Sequence, residues 1–256
     1  MRMRPIGAAM AAGMISLCAQ VAAAQTAPVR VLASNGVKAV IDELRPQCER
    51  AAGRPLALQY GSTASLRQKI DAGEAFDVLV LTTAAIDDLI KQGKAAGPSA
   101  GVARAGIGIG IRSGVAKPDI RTAEAIKQTL LNAKSITYVQ DGASRVYIEK
   151  MIADLGITDR VKPKTMLQSG IEQTAASVAE GKAELWITLI SEILPVKGLA
   201  LIGPLPAQFQ NYVNFAAAVG AKTANAAAGK AFIDCLTAPA AEAAFKAKGL
   251  ERVGKN

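Results

Sequence analysis

Apolar residues along this chain recur with two periods, and the two periods alternate. Strand-length apolar runs at residues 29–33, 56–60 and 76–81 are separated by segments whose apolar residues return every three or four positions. Within 37–52, Val37, Val40, Ile41 and Leu44 share one helical face. Pro46 interrupts that segment and predicts a kink or a split, and Gly53-Arg54-Pro55 ends it. A short helix over 65–72 turns Leu66 and Ile70 inward, and Ile86, Leu89 and Ile90 mark a third helix. The run 76–81 is almost wholly apolar, as in a parallel strand covered on both faces. This β-α-β-α-β-α order predicts an α/β, doubly wound sheet that binds ligands beyond the carboxyl ends of its strands.

The pattern changes at 102–111, where Gly106, Gly108 and Gly110 alternate along a strand and predict close backbone packing. A fresh series follows: helix 123–131, strand 135–139, the turn Gln140-Asp141-Gly142-Ala143-Ser144, and helix 145–155 with Ile148, Met151, Ile152 and Leu155 on one face. Strand 164–167, helix 172–180 and strands 184–188 and 200–202 come next. Residues 215–219 predict a strand returning to the first unit, and helices over 226–236 and 239–248 complete the chain. Pro239 suits a first helical position, where its missing N–H costs nothing. The expected organisation is two α/β lobes, 27–103 plus 216–256 and 107–212, joined by two chain crossings around a hinged cleft.

Two strand-to-helix corners carry the candidate chemistry. They are Ala33-Ser34-Asn35-Gly36 and Tyr60-Gly61-Ser62-Thr63. Ser34, Asn35, Ser62 and Thr63 all suit helix N-caps, and ordinary capping at about 1 kcal/mol explains each one singly. Both corners fall at one sheet edge, with Thr82-Thr83 beside them, while Gly142-Ala143-Ser144 opens a helix of the second lobe. Donors converging on one cleft suit a tetrahedral oxyanion or a carboxylate, held by fixed dipoles without a buried counter-charge. Hydrogen bonds to a charged group contribute roughly 1.5–3 kcal/mol each, so about five to seven would support micromolar binding after closure costs. Arg145 has two readings, a bidentate clamp on the anion or a solvated first-turn arginine. Tyr147 stands between cleft wall and core, and Trp186 reads as core.

Composition narrows the setting. Arg2 and Arg4 precede an apolar run too short to span a bilayer, and Ala22-Ala23-Ala24 offers a cleavage site, so residues 1–24 are expected to be a signal peptide and the location periplasmic. Removing them lowers the formal charge from +9 to +7, a moderate positive field that favours anions. The basic residues are scattered with few aromatics, so nucleic-acid binding is not expected. There is no histidine, which excludes Ser-His-Asp and Cys-His nucleophiles and most catalytic zinc sites. No cofactor or metal is expected. Cys48 and Cys235 are either a disulfide or two buried thiols. A histidine-free enzyme using Asp77, Asp141 or Glu184 is the competing class.

The chain resembles the molybdate-binding proteins of ABC importers, within the two-lobed periplasmic solute-binding proteins. The resemblance rests on Ala33-Ser34-Asn35, Gly61-Ser62-Thr63, Phe76-Asp77-Val78, Gly181-Lys182-Ala183-Glu184 and Gly203-Pro204-Leu205-Pro206. It implies a type II periplasmic binding protein fold, a monomer that delivers solute to an inner-membrane ABC permease. It also implies anion ligands at Ser34 and Ser62, with second-lobe amides from Gly142, Ala143 and Ser144 and from near Thr188. One position departs. Where the resemblance implies a tyrosine hydroxyl on the anion, this chain has Leu189, which donates nothing. The expected ligand is thus a molybdate- or tungstate-like oxyanion, with a small organic carboxylate as the alternative.

Overall fold

The structure, a computed structural model, describes residues 27–253. The expected signal peptide lies outside the described residues. The first unit runs β1 (Val29–Ser34), a 3-10 turn (Asn35–Val37), α1 (Lys38–Ala52), β2 (Leu56–Gly61), α2 (Thr63–Asp71), β3 (Val78–Thr82) and α3 (Thr83–Lys91). The second runs β4 (Ala100–Arg112), α4 (Ala123–Asn132), β5 (Ile136–Val139), α5 (Arg145–Asp154), α6 (Thr158–Val161), β6 (Thr165–Gln168), α7 (Ile171–Ala179), β7 (Leu185–Leu189), α8 (Ile190–Ile193) and β8 (Leu199–Pro204). β9 (Tyr212–Val219), α9 (Ala226–Leu236), α10 (Glu242–Ala247) and β10 (Leu250–Arg252) close the chain.

The strands lie in the order β2-β1-β3-β9-β4-β7-β5-β6, with β8 and β10 also pairing β4. β4 belongs to both halves. Its first part, to Gly106, pairs with β9, and from Ile107 onward it pairs with β7 and β8. The outer strands of each half are parallel, β2-β1-β3 on one side and β6-β5-β7 on the other. The central pairings are antiparallel. The reason is connectivity: β4 carries the chain out of the first half, and β9 returns beside it in the opposite direction. The architecture is the expected α/β one, with a single ten-stranded sheet shared by the two halves.

The glycine alternation on β4 has the expected cause. A Cβ on Gly108 would lie 2.8 Å from the Gly203 carbonyl oxygen, and one on Gly110 would lie 3.0 Å from Ile193. Pro46 does not split α1, which runs through it as one helix. It sits on the exposed face, so the Asp42 carbonyl it leaves unpaired can reach water, while Val40, Ile41, Leu44 and Cys48 stay buried. Cys48 and Cys235 form a disulfide, 2.14 Å between sulfurs, which ties α1 to α9. Trp186 is fully buried, as expected of core. No helix among the described residues is long and apolar enough to cross a membrane.

Candidate functional site

Parallel pairing brings the first two corners together. Ser34 stands opposite Gly61 in the β1–β2 register, so the carboxyl ends of both strands and the helices after them share one edge. Ser62 caps α2: its Oγ accepts from the Ser65 amide at 3.0 Å. The same hydroxyl donates to Asp141 Oδ2 at 2.5 Å, across from the turn that follows β5. A cavity of about 160 Å³ surrounds this pair, lined by Asn35, Tyr60 and Ser62 on one side and Asp141, Gly170 and Glu172 on the other. Gly170 precedes α7, and no side chain caps that helix. Its first amides therefore lack intrahelical acceptors at the cavity wall.

Two larger cavities flank this one. On one side, about 510 Å³ is bounded by Asn35, Lys38 and Asp42 from the first half and by Ile171, Trp186 and Glu192 from the second. On the other, about 640 Å³ lies among Thr63, Thr82, Thr83, Asp141, Ala143 and Tyr147. The three share Asn35, Ile171, Glu172 or Asp141, and together they form one cleft along the strand ends.

Of the residues expected at the site, Asn35, Ser62, Thr63 and Ala143 line these cavities. Thr63 Oγ1 also accepts from the Thr82 amide at 3.4 Å. Ser34, Ser144, Arg145 and Thr188 line none of the three. Ser34 is 4 % exposed and Ser144 5 %, both at helix starts without a capping bond. Arg145 turns back along its own helix, 2.7 Å from Glu149 Oε1 and 2.7 Å from the Gln140 carbonyl, so it holds the Asp141 turn in place. Thr188 is buried and donates its hydroxyl to Glu192.

Several cleft residues escaped the sequence reading. Ser169-Gly170 precedes α7 as a third small-residue corner, and the signal used for the other two would have found it. Ser191 Oγ donates to the Gly36 carbonyl at 2.8 Å and joins the two halves. Leu189 packs beside it, its Cδ1 only 2.9 Å from where a Gly36 Cβ would stand. Gly36 is thus required by close approach, and Leu189 fills that space with methyl groups. Glu192 follows Leu189 by three residues, and its carboxylate accepts from the Leu189 amide at the start of α8. Burial pushes its carboxyl up to about 7, against the opposing bonds from Thr188 and Leu189 and with some help from Glu172.

Despite the basic chain, the cleft is acidic. Asp42, Asp141, Glu172 and Glu192 face it against Lys38 and Lys197. Asp42 is occupied by Lys38 at 2.6 Å and by the Tyr60 hydroxyl at 2.6 Å. Burial and Asp42 together hold that phenol well above its ordinary value. Among the described residues, no cluster of three or more His, Cys, Asp or Glu could hold a metal ion.

A pattern of bacterial extracellular solute-binding proteins matches residues 29–251. Aconitate isomerase of a Pseudomonas species is 30% identical over 238 residues, 91% of this chain and 90% of that protein. The molybdate-binding protein ModA of Azotobacter vinelandii is 28% identical over 242 residues, 89% of this chain and 91% of that protein. Among solved structures, the Azotobacter vinelandii periplasmic molybdate-binding protein superposes with a TM-score of 0.74 at 18% identity, covering 89% of this chain and 100% of that one.

Proposed function

Because the chain belongs to the bacterial extracellular solute-binding protein family, we propose that it is a periplasmic receptor that closes over a small organic carboxylate and passes it to an ABC permease. The lobes of this reading are 27–103 with 216–256 and 107–212, with the cleft between them as the site. The observation that carries it is the Ser62 hydroxyl at 2.5 Å from a carboxylate oxygen, at the capped start of α2 and opposite the uncapped start of α7. That corner already accommodates a carboxylate. A single carboxyl group fits the smaller cavity of about 160 Å³. The adjoining cavity of about 510 Å³ offers space for a carbon skeleton against Ile171 and Val196.

The same features argue against a compact oxyanion such as molybdate, despite the similarity to molybdate binders. Leu189 contributes no donor, and a dianion would meet Asp141 and Glu172. Two unit charges about 4 Å apart repel by about 4 kcal/mol at an effective dielectric constant near 20. Calorimetry with molybdate, tungstate, sulfate and a panel of di- and tricarboxylates, aconitate included, tests the assignment. A carboxylate is expected to bind best, and Ser62→Ala to weaken it about 10- to 100-fold, as for loss of one bond to a charged group. Preference for molybdate, or unchanged affinity in that variant, would refute the reading.

A second reading, catalysis in the same cleft, is favoured by Glu192. Its carboxyl, pushed up to about 7 by burial, lines the cavity proposed for the carbon skeleton. Such a group can take a proton from one carbon of an unsaturated carboxylate and return it to another while the double bond shifts. Interconversion of cis- and trans-aconitate by the purified protein, followed by NMR, would favour this reading over simple reception.

A further inference from the structure

We infer that Asp141 is a carboxylate the protein keeps in its own anion corner, a built-in competitor that an incoming carboxylate must replace and that selects which anions the cleft accepts. The inference rests on the carboxylate-receptor reading above and deepens it. Asp141 Oδ2 receives the Ser62 hydroxyl at 2.5 Å, although the two residues are 79 positions apart and belong to different halves of the sheet. The Ser62 hydroxyl has one proton to give, and this contact uses it. A ligand oxygen can receive that proton only when Asp141 has left.

The turn makes such a departure a side-chain event. Arg145 Nη1 grips the Gln140 carbonyl at 2.7 Å, and the Gly142 amide reaches the Val139 carbonyl at 3.2 Å, so the backbone on either side is pinned. Asp141 also borders the cavity of about 640 Å³ that holds Thr82 and Thr83. Thr82 opens α3 without capping it, leaving that helix start to receive a displaced carboxylate. Asp141 is therefore a two-position group, on Ser62 when the cleft is empty and toward α3 when a ligand is present.

Selection follows from the charge that remains nearby. A compact dianion stays close to Asp141 even after the exchange, because it has nowhere else to place its second charge. An elongated carboxylate sets one carboxyl on Ser62 and carries the rest into the cavity beyond Asn35 and Ile171. Asp141 thus penalises the compact ion more than the extended one.

Calorimetry of the mature protein and of Asp141→Asn, with molybdate and trans-aconitate as probes, tests this. The substitution keeps the shape, removes the charge and lies on the surface, so matching thermal melts verify the fold. Trans-aconitate is expected to bind about 10-fold tighter to the variant, about 1.4 kcal/mol, and molybdate to gain more than that. Wild-type binding with equal or weaker binding in the variant would overturn the competitor while leaving the receptor reading standing. Failure of wild type and variant alike to bind either probe would overturn both, since removing the competitor should have exposed the corner.

Discussion

Asp77 lies one residue before β3 with none of its surface exposed, and several donors converge on it. The Arg30 amide and Nε reach Oδ2 at 2.8 and 3.0 Å, Arg30 Nη2 reaches Oδ1 at 3.0 Å, and Thr223 Oγ1 reaches Oδ1 at 2.5 Å. Burial alone would raise its pKa, but Arg30, Thr223 and Asn225 outweigh it and hold the carboxyl well below the usual range. A carboxylate depressed in the folded state stabilises fully above its unfolded value of about 3.9, and that contribution fades as pH falls through the lower folded value. Asp77→Asn should cost about 2 kcal/mol at pH 7, since Arg30 is half exposed and its freed charge can reach water. Urea titrations at pH 7 and pH 3 check it: the gap between wild type and variant should narrow at the lower pH. The sequence offered Asp77 as a candidate acid of a histidine-free enzyme and gave no sign of its partners, which are 47 and 146 residues away. Arg145 shows the same limit. Its type and position allowed a ligand clamp, and only the path of the Asp141 turn sends it to Gln140 and Glu149.

Among the elements, α1 and α9 are the pair whose contact the sequence left open. The disulfide between them spans a separation of 187 residues, so cross-linking removes much freedom from the unfolded chain. The chain-entropy relation gives about 5 kcal/mol for a loop of that order, and measured losses in proteins run about 2–5 kcal/mol. Replacing both cysteines with serine should lower the melting temperature by roughly 5–15 °C, at about 2–4 °C per kcal/mol for a domain of this size. Calorimetric melts of variant and wild type under non-reducing conditions provide the measurement. Long periodic elements were legible because burial imposes their period: Val40, Ile41 and Leu44 keep α1 intact through Pro46. The short elements were not. α6 (Thr158–Val161) and α8 (Ile190–Ile193) are too brief to display a period, and β10 (Leu250–Arg252) is defined only by its pairing with β4. Glu192 was hidden for that reason, since its role depends on α8 starting at Ile190.

For the molecule as a whole, the sequence disclosed the α/β order, while the acidity of the cleft arises only from assembly. Asp42, Glu172 and Glu192 come from separate elements, and folding places them around one cavity with Lys38 and Lys197. Glu192 then has a linkage opposite in sign to that of Asp77. Its carboxyl rises from 4.5 to about 7 on folding, so it favours the folded state below the lower value and loses that effect as pH rises through the upper one. An anion entering the cavity adds negative charge beside it and pushes its pKa up again. The complex must then hold more protons near pH 7 than the empty protein. Affinity for a carboxylate should accordingly fall as pH rises from about 6 to 8, by up to about 10-fold for uptake of one proton across that range. Calorimetry in buffers of different ionisation enthalpy measures the uptake directly. Glu192→Gln should abolish that component and flatten the pH dependence. Equal heats in all buffers for the wild-type protein would mean that Glu192 keeps one charge state throughout, and that the cleft closes over its ligand without exchanging a proton.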